Sequence, residues 1–407
     1  MKRLFAALIL STSIHCYAAS SLSQAQSNAA QENAISSTFR KLAPETKALL
    51  SENDNVSPNS LHYPVESPCL EVNDVRLLSE KTVSRRVRSL ALSAKGVCLG
   101  EQGLNLLQKS VQNQIIKEGM ITSRVVLNKY DRDKKVLQVS IQYGHIGKIM
   151  LSKESSKHFH PGVAFPLQEH DVLNLRNIEQ GMENINLLPG ITSAIRILPG
   201  AHPGESNILI TRKQKKYWRV TGWVDDSGTR ATGKYQAGMA LFLDNVTSLN
   251  DIFYLSGTRN TDRSSDVYNK SASVYYAIPY GFWRISAYGG KNKNSQLISG
   301  DTINFAYRAN VDYWGAQLSR VISRSMSYIT KFNVQMLKRD YHYRFNETEI
   351  ETQHASISSF TVGANHLHYF RNFQLNLAVD YTKSMPWFHA LRGEQEAKTF
   401  SHIIKSS

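Results

Sequence analysis

From residue 217 to the last line of the sequence, apolar and polar residues alternate, segment after segment. Before that point the apolar residues recur at helix spacing or in short compact strands. A period of two sends alternate side chains to opposite faces of a sheet. Segments of about ten alternating residues, broken by Gly, Asn, Asp and Ser turns, are the sequence mark of a membrane β-barrel. The stretch 217–245, YWRVTGWVDDSGTRATGKYQAGMALFLDN, reads as a first hairpin. Its strands are 217–224 and 234–243, with a polar turn over 225–233.

Composition agrees with that reading and excludes a helical membrane protein. The 407 residues are 41% hydrophobic. No run beyond the first residues approaches the ~20 apolar positions that a spanning helix needs. A barrel escapes this test, because half of each strand faces a polar lumen. The 19 Tyr, 15 Phe and 5 Trp lie mostly after residue 217 and suit aromatic girdles. A soluble β-protein would alternate in the same way, so strand length discriminates. Segments 304–323 and 328–349 are long against the roughly five or six residues of a soluble strand.

The start, MKRLFAALILSTSIHCYAAS, has the basic Lys2 and Arg3, an apolar run over 4–10 and the small Ala18 and Ala19. It reads as a secretory signal peptide over 1–19. Cys16 is a poor lipoprotein cysteine, because His15 stands where a small residue is required. Removing the leader takes two basic residues from a net charge of +15, leaving 15 − 2 = +13. Nothing suggests nucleic-acid binding: zinc-ligand spacing, a helix-turn-helix and an RNP-like motif are all missing from the sequence. The positive balance suits a partly basic lumen and a surface facing anionic lipid headgroups or an unfolded client. Cys69 and Cys98 remain, and an even count in an exported chain favours one disulfide. It would close about 30 residues, worth roughly 3–4 kcal/mol in the chain-entropy model. A metal pair lacks nearby His or Cys partners.

Taken in order, 20–50 could form a weakly amphipathic helix through Ile35, Phe39, Leu42 and Leu49, or remain disordered. Residues 51–65 are a Pro-rich linker. Over 66–145 the order is β-α-α-β-β: CLEVNDVRLL is a strand, 79–94 and 103–119 are helices, and 121–127 and 136–144 are strands. The plan repeats loosely over 146–213. Asp171 is expected to cap a helix running through Leu188, stopped by Pro189-Gly190, with strands 191–198 and 207–213 after it. Beyond 214 nine strands are expected, near 217–224, 234–243, 250–259, 267–278, 282–290, 304–320, 327–344, 353–369 and 372–382. Bacterial single-chain barrels close with an even number. Nine strands therefore imply a missed strand or an incomplete barrel. The end, RGEQEAKTFSHIIKSS, reads as a charged loop and stub.

These stretches together resemble the outer-membrane transporters of two-partner secretion, which export haemolysins, haemagglutinins and contact-dependent inhibition toxins. The resemblance is carried by PCLEVNDVRL with GVCLGEQGLNLLQKSVQNQIIKEGMITSRVVL, by LNLRNIEQGMENINLLPG, by ILPGAHPGESNILI, and by VDDSGTRATGKYQAGMALFLDN with LNDIFYLS. It spans about 66–390. It implies two POTRA domains, at 66–145 and 146–213, in the periplasm, then a transmembrane β-barrel in the outer membrane over 214–407. It also implies that 20–50 is a plug helix. Family members fold sixteen strands and carry a Val-Arg-Gly-aromatic motif needed for secretion. Leu391-Arg392-Gly393-Glu394 is a poor match to that motif. The expectation is a family member cut after about the ninth strand, which does not secrete alone.

The residues then take roles. A client from a neighbouring gene would add a strand to the edge formed by Ile191, Ser193, Ile195, Arg196 and Ile197, beside the groove of helix 173–188. The competing reading is that this strand only completes the small fold. Arg308, Asn310, Asp312, Lys331 and Asp380 are expected to face the lumen. No cofactor is expected, since no Gly-rich phosphate loop is visible. Catalysis is disfavoured, because none of the 13 His or many Ser sits in a nucleophile elbow. A barrel phospholipase would be its best form. An insertase that assembles other outer-membrane proteins shares the architecture, and client identity separates the two. Partners on this reading are the exoprotein, outer-membrane lipid and the barrel-assembly machinery.

Overall fold

The computed structural model describes residues 61–226, 228–262, 266–299, 303–390 and 403–406. The expected leader, the helix over 20–50 and most of the linker lie outside the described residues, as does 391–394.

The first small unit runs through β1 (Leu70–Val72), β2 (Asp74–Leu78), α1 (Arg85–Leu92), β3 (Val97–Leu99), α2 (Glu101–Lys117), β4 (Arg124–Asp131) and β5 (Val136–Gln142). Its sheet has the order β2-β5-β4, with β2 parallel to β5 and β4 antiparallel. The single strand expected from CLEVNDVRLL is broken at Asn73, whose N–H turns to Lys135 O at 2.8 Å. That break frees β1 to pair with β3, which sets Glu71 opposite Cys98. Cys98 therefore sits in a strand rather than in an open loop, and it is bonded to Cys69 with the two Cα atoms 5.4 Å apart.

Both helices start where their orphan N–H groups find acceptors. Ser84 caps α1, its Oγ accepting from Val87 N at 3.2 Å. Gly100 at the start of α2 has no side chain to offer. The Glu66 carboxylate replaces it, accepting from Gln102 N at 3.0 Å and Gly103 N at 2.8 Å, where the helix dipole favours negative charge. Leu107, Val111 and Ile115 of α2 pack with Val87, Leu90, Leu99 and Val139 into one buried core.

The second unit holds β6 (His145–Leu151), α3 (Pro161–Ala164), α4 (Leu175–Asn186), β7 (Ile191–Pro199) and β8 (Glu205–Gln214). Its sheet order is β6-β8-β7, again one parallel and one antiparallel pair. The helix begins later than the sequence suggests. Asn174, not Asp171, is its cap, accepting from Arg176 N at 2.8 Å. Residues 171–173 instead run extended: Ile146 N donates to Asp171 O and Leu173 N donates to Gly144 O, each at 2.8 Å. Leu173 is thus buried by a strand-like contact, and its helical spacing to Ile178 is coincidental.

Beyond Gln214 the chain forms one antiparallel meander. Its strands are β9 (Trp218–Asp225), β10 (Gln236–Asp244), β11 (Ile252–Asn260), β12 (Tyr268–Tyr280), β13 (Trp283–Ser299), β14 (Asn304–Arg324), β15 (Tyr328–Phe345), β16 (Thr348–Glu349), β17 (Ala355–Tyr369), β18 (Gln374–Met385) and β19 (Ile403–Ser406). Neighbours pair in chain order, with the short β16 folded back on β15. The nine expected strands are there. Two points differ from the sequence reading. β13 continues through the polar stretch KNKNSQLIS, because β12 and β14 flank it and take its main-chain bonds. Residues 403–406, expected to be a stub, pair with β18, whose free edge offers unpaired N–H and C=O groups. Among the described residues, β9 and β19 each have one unpaired edge.

Candidate functional site

Three features of the described chain can bind or conduct another molecule: the two faces of the large sheet, the seam between that sheet and the second unit, and the free edge of β7.

Directly opposed residues in a ladder share a face, so the pairing sorts the sheet completely. One face carries Val220, Leu241, Leu255, Val274, Ile285, Leu318, Phe332, Leu375, Leu377 and Val379. Most of these are well exposed, Leu377 at 50% and Val379 at 52%. An exposed apolar face of this extent requires a covering. The other face is polar, with Asn333, Gln335, Asn365, Asn376 and Asp380 along β15, β17 and β18. Lys331 and Asp380 lie on it. Gly363 stands opposite Asp380, and a Cβ there would fall 1.9 Å from Asp380 Oδ1. Only a glycine leaves that carboxylate its room.

Arg308, Asn310 and Asp312 do not join Lys331 and Asp380. They lie on the apolar face, in line with Trp314 and Leu318 along β14. Their partners are Glu347 for Arg308 and, at 2.9 Å, Lys291 for Asp312. The expected alternation is present but its two sides are exchanged. Val311 and Tyr313 turn to the polar face and are buried there. The reason is a ring row that the sequence reading missed. Arg219, Phe242, Tyr254, Tyr275 and Tyr288 stand directly opposite one another across five strands. The Arg219 guanidinium lies 4.3 Å from the Phe242 ring centroid, and the Phe242–Tyr254 and Tyr254–Tyr275 centroids are 5.6 and 5.3 Å apart. The aromatics of this row line the polar face. Only cross-strand register, which sequence does not give, reveals the row.

The seam joins the second unit to the turns at one end of the sheet. Arg212 of β8 is completely buried. Its Nε and Nη2 donate to Asn250 Oδ1 at 3.1 and 2.9 Å, and Nη2 also donates to Gln214 Oε1 at 2.8 Å. The guanidinium carbon lies 5.0 Å from the Phe159 ring centroid. Burial lowers the Arg212 pKa from its ordinary value. Asn250, held at φ 60° in the turn after β10, donates to Asn184 O at 2.7 Å. The Asn184 side chain donates to Ala164 O and to Gly281 O, both at 2.7 Å. Gly281 is the turn between β12 and β13, and its N–H donates to Val163 O at 2.8 Å. Glu183, one residue before Asn184, accepts from Arg324 and, at 3.2 Å, from Lys331. The helix α4 is therefore tied to three separate parts of the sheet.

β7 is an edge strand of its sheet, with β8 on one side and no strand on the other among the described residues. Ile191 and Ile195 pack on the core of the second unit, and Ser193 donates to Asn186 Oδ1 at 2.7 Å. These three complete the small fold. Arg196 and Ile197 are exposed. Lys213, opposite Thr192 at the start of the strand, donates to Glu154 and holds that carboxyl below its usual range. The main chain of this edge is unpaired among the described residues, and Arg196 and Ile197 expose side chains on its two faces.

Comparison with known proteins agrees with this architecture. Residues 204–406 match the haemolysin secretion/activation protein family ShlB/FhaC/HecB. Residues 60–144 match the ShlB-type POTRA domain and 145–199 a POTRA domain. The chain is 30% identical over 348 residues to the outer membrane transporter CdiB of Escherichia coli, covering 82% of this chain and 58% of that protein. It is 29% identical over 343 residues to the outer membrane transporter CdiB-2 of Burkholderia pseudomallei (strain 1026b), covering 80% of this chain and 58% of that protein. The chain thus spans less than two thirds of the length of these relatives. Its fold resembles the solved structure of CdiB from Escherichia coli, with a TM-score of 0.76 at 24% identity over 94% of this chain and 70% of that one.

Proposed function

Since the chain belongs to the haemolysin secretion/activation family ShlB/FhaC/HecB and carries two POTRA domains, we propose that it serves outer-membrane translocation and activation of one specific large exoprotein. Its POTRA domains, over 66–145 and 146–213, lie in the periplasm and its sheet, over 214–407, lies in the outer membrane. The observation that carries this reading is the two-faced sheet fused to a POTRA unit. The apolar face, with Leu255, Val274, Phe332 and Leu377, suits lipid, and the polar face, with Asn333, Gln335, Asn365 and Asp380, suits a hydrated path.

The mechanism is binding and conduction, without bond chemistry or a cofactor. An extended client segment adds to the free edge of β7 by main-chain hydrogen bonds, a mode that recognises any exposed strand edge. Arg196 supplies charge selection and Ile197 an apolar contact. The client then passes along the polar face, past Lys331 and Asp380. Lipid and the barrel-assembly machinery are the remaining partners, the latter acting during insertion.

The test is export of the partner exoprotein by a full-length version carrying Arg196→Glu and Ile197→Asp together. Export should fall by about tenfold or more, while the heat-modifiable gel mobility of the folded barrel is kept. Undiminished export would remove β7 from the mechanism. Undiminished export after deletion of either POTRA unit would overturn the secretion assignment as a whole.

A further inference from the structure

The apolar face carries, at the end of its strands far from the POTRA units, a row of three cations that form no ion pair among the described residues. Arg259 of β11 stands directly opposite Lys270 of β12, which stands directly opposite Lys293 of β13. All three are exposed. Like charges placed directly opposite in a ladder repel one another, so the row is unfavourable without counter-charge. Its neighbours on the same face are treated differently. Lys291 pairs with Asp312 at 2.9 Å, Lys338 with Asp340 at 3.5 Å, Arg308 with Glu347, and Arg344 with Glu349 at 3.9 Å. None of the three in the row has an ion pair among the described residues. The contact found there is a ring: the Lys270 ammonium lies 4.7 Å from the Tyr268 ring centroid.

The height of the row is informative. The other end of β12 and β13 is marked by Tyr280 directly opposite Trp283. Lys270 and Lys293 each lie ten residues along the strand from these rings. At about 3.3 Å per residue that is roughly 33 Å of strand. A strand tilted by about 40° raises it by roughly 25 Å, the height of a barrel's apolar band. Between row and rings the outward positions are Ala272, Val274, Tyr276 and Ile278 on β12 and Lys291, Gly289, Ala287 and Ile285 on β13. The cations therefore meet the membrane surface on the side away from the POTRA units. Gly257 and Ala272 lie immediately below Arg259 and Lys270, and the paired Lys291 lies below Lys293.

We propose that Arg259, Lys270 and Lys293 form a binding site for the phosphate groups of an outer-leaflet glycolipid, whose acyl chains lie down the apolar face over Leu255 and Val274. This rests on the membrane reading of the sheet. A phosphorylated sugar headgroup fits because it places two or more negative charges at one level of the bilayer, matching three cations in one row. A diester phospholipid offers one. Near a membrane surface each Lys or Arg contributes a few-fold to anionic-lipid affinity, and three together about 100-fold.

The experiment uses the chain folded in neutral detergent, with diphosphorylated lipid A as probe. Binding is measured for the wild type and for the R259Q/K270Q/K293Q variant. Heat-modifiable gel mobility is recorded for both. The expected result is a loss of about 100-fold in lipid A affinity for the variant, and of tenfold or more for the wild type with dephosphorylated lipid A. Lys338→Gln, which removes a cation already paired, should leave affinity within about twofold. A heat-modifiable variant that binds lipid A as the wild type does overturns the site. Displacement of lipid A by millimolar inorganic phosphate, or equal affinity for phosphatidylglycerol, overturns the glycolipid assignment. A chain that shows no heat-modifiable form and binds no lipid overturns the membrane reading and the site together.

Discussion

The two POTRA units share a plan and are held together by opposite means. In the first a covalent bond between Cys69 and Cys98 closes the fold, and the buried interior is almost wholly apolar, with Ser123 and Ser140 as the buried polar side chains among the described residues. The second has no disulfide among the described residues and buries Gln180, Asn184, Ser206, Arg212 and Gln214. Several of those polar groups find their partners in the turns of the large sheet. Asn184 needs Gly281, and Arg212 needs Asn250. A buried donor without an acceptor costs about 1–3 kcal/mol, more if charged. The second unit is therefore complete only when the sheet is folded against it. The difference teaches that the second unit relies on the sheet for its buried polar partners, whereas the first is tied to the second through Leu175 N to Gly119 O at 2.8 Å and through Val172, which packs in its core. The strand β7 of the second unit, which we propose adds the client, is thereby held against the sheet.

The largest expected effect breaks that dependence. Glu183→Ala leaves Arg324 and Lys331 without their carboxylate. Glu183 and Arg324 have side-chain exposures of 10% and 8%. Removing one partner of a buried pair costs roughly 3–5 kcal/mol, because the remaining charge stays desolvated. Protection from hydrogen exchange should collapse across α4 and the turns at 245–251 and 281, and remain normal in the first unit. Normal protection at the seam would mean that the second unit stands alone after all.

A second change separates the units from the other side. The Cys69→Ala/Cys98→Ala variant opens a loop of sequence separation 29. A loop of this size is worth roughly 3–4 kcal/mol in the chain-entropy model. Urea unfolding read by exchange should shift early in the first unit only. An equal shift in both units would show that they unfold together and would abolish the distinction.

The sequence made some of this legible and hid the rest for definable reasons. The switch to period two at 217 located the sheet, because alternation is a local property of every two-faced strand. It placed nine strands and extended none of them through KNKNSQLIS, where pairing with β12 and β14 outweighs low strand propensity. Alternation also cannot say which side of β14 faces which environment. Val311 and Tyr313 look lipid-facing and are not, because the ring row of Tyr275 and Tyr288 draws the aromatics to the polar face. The seam was invisible. Its partners lie 38, 66 and 97 residues apart in the chain, and Arg212 in TRKQ looks like any polar position of a strand. The position of β7 at an edge likewise follows from sheet order, which only the fold supplies.

The smallest expected effect sharpens the comparison at the surface. In the first unit Glu71 is held below the usual carboxylate range by a hydrogen bond from Lys135, and Asp74 by one from Lys95. In the second unit Glu154 is held down in the same way by Lys213. A carboxylate depressed in the folded state stabilises it above the ordinary pKa, and the benefit is lost as pH falls through the folded value. For Glu71 and Asp74 the loss begins below about pH 4.5 and 3.8, their ordinary values. All three groups lie in water, so the effect is slight and screened by salt. With two such pairs against one, acidification from pH 5 to 3 should lower exchange protection slightly more in the first unit. Glu71→Gln with Asp74→Asn should remove the excess, and 1 M salt should do the same, since the Debye length is then about 3 Å. An excess that persists in salt would have to come from buried groups, and the first unit would no longer be the one held without buried charge.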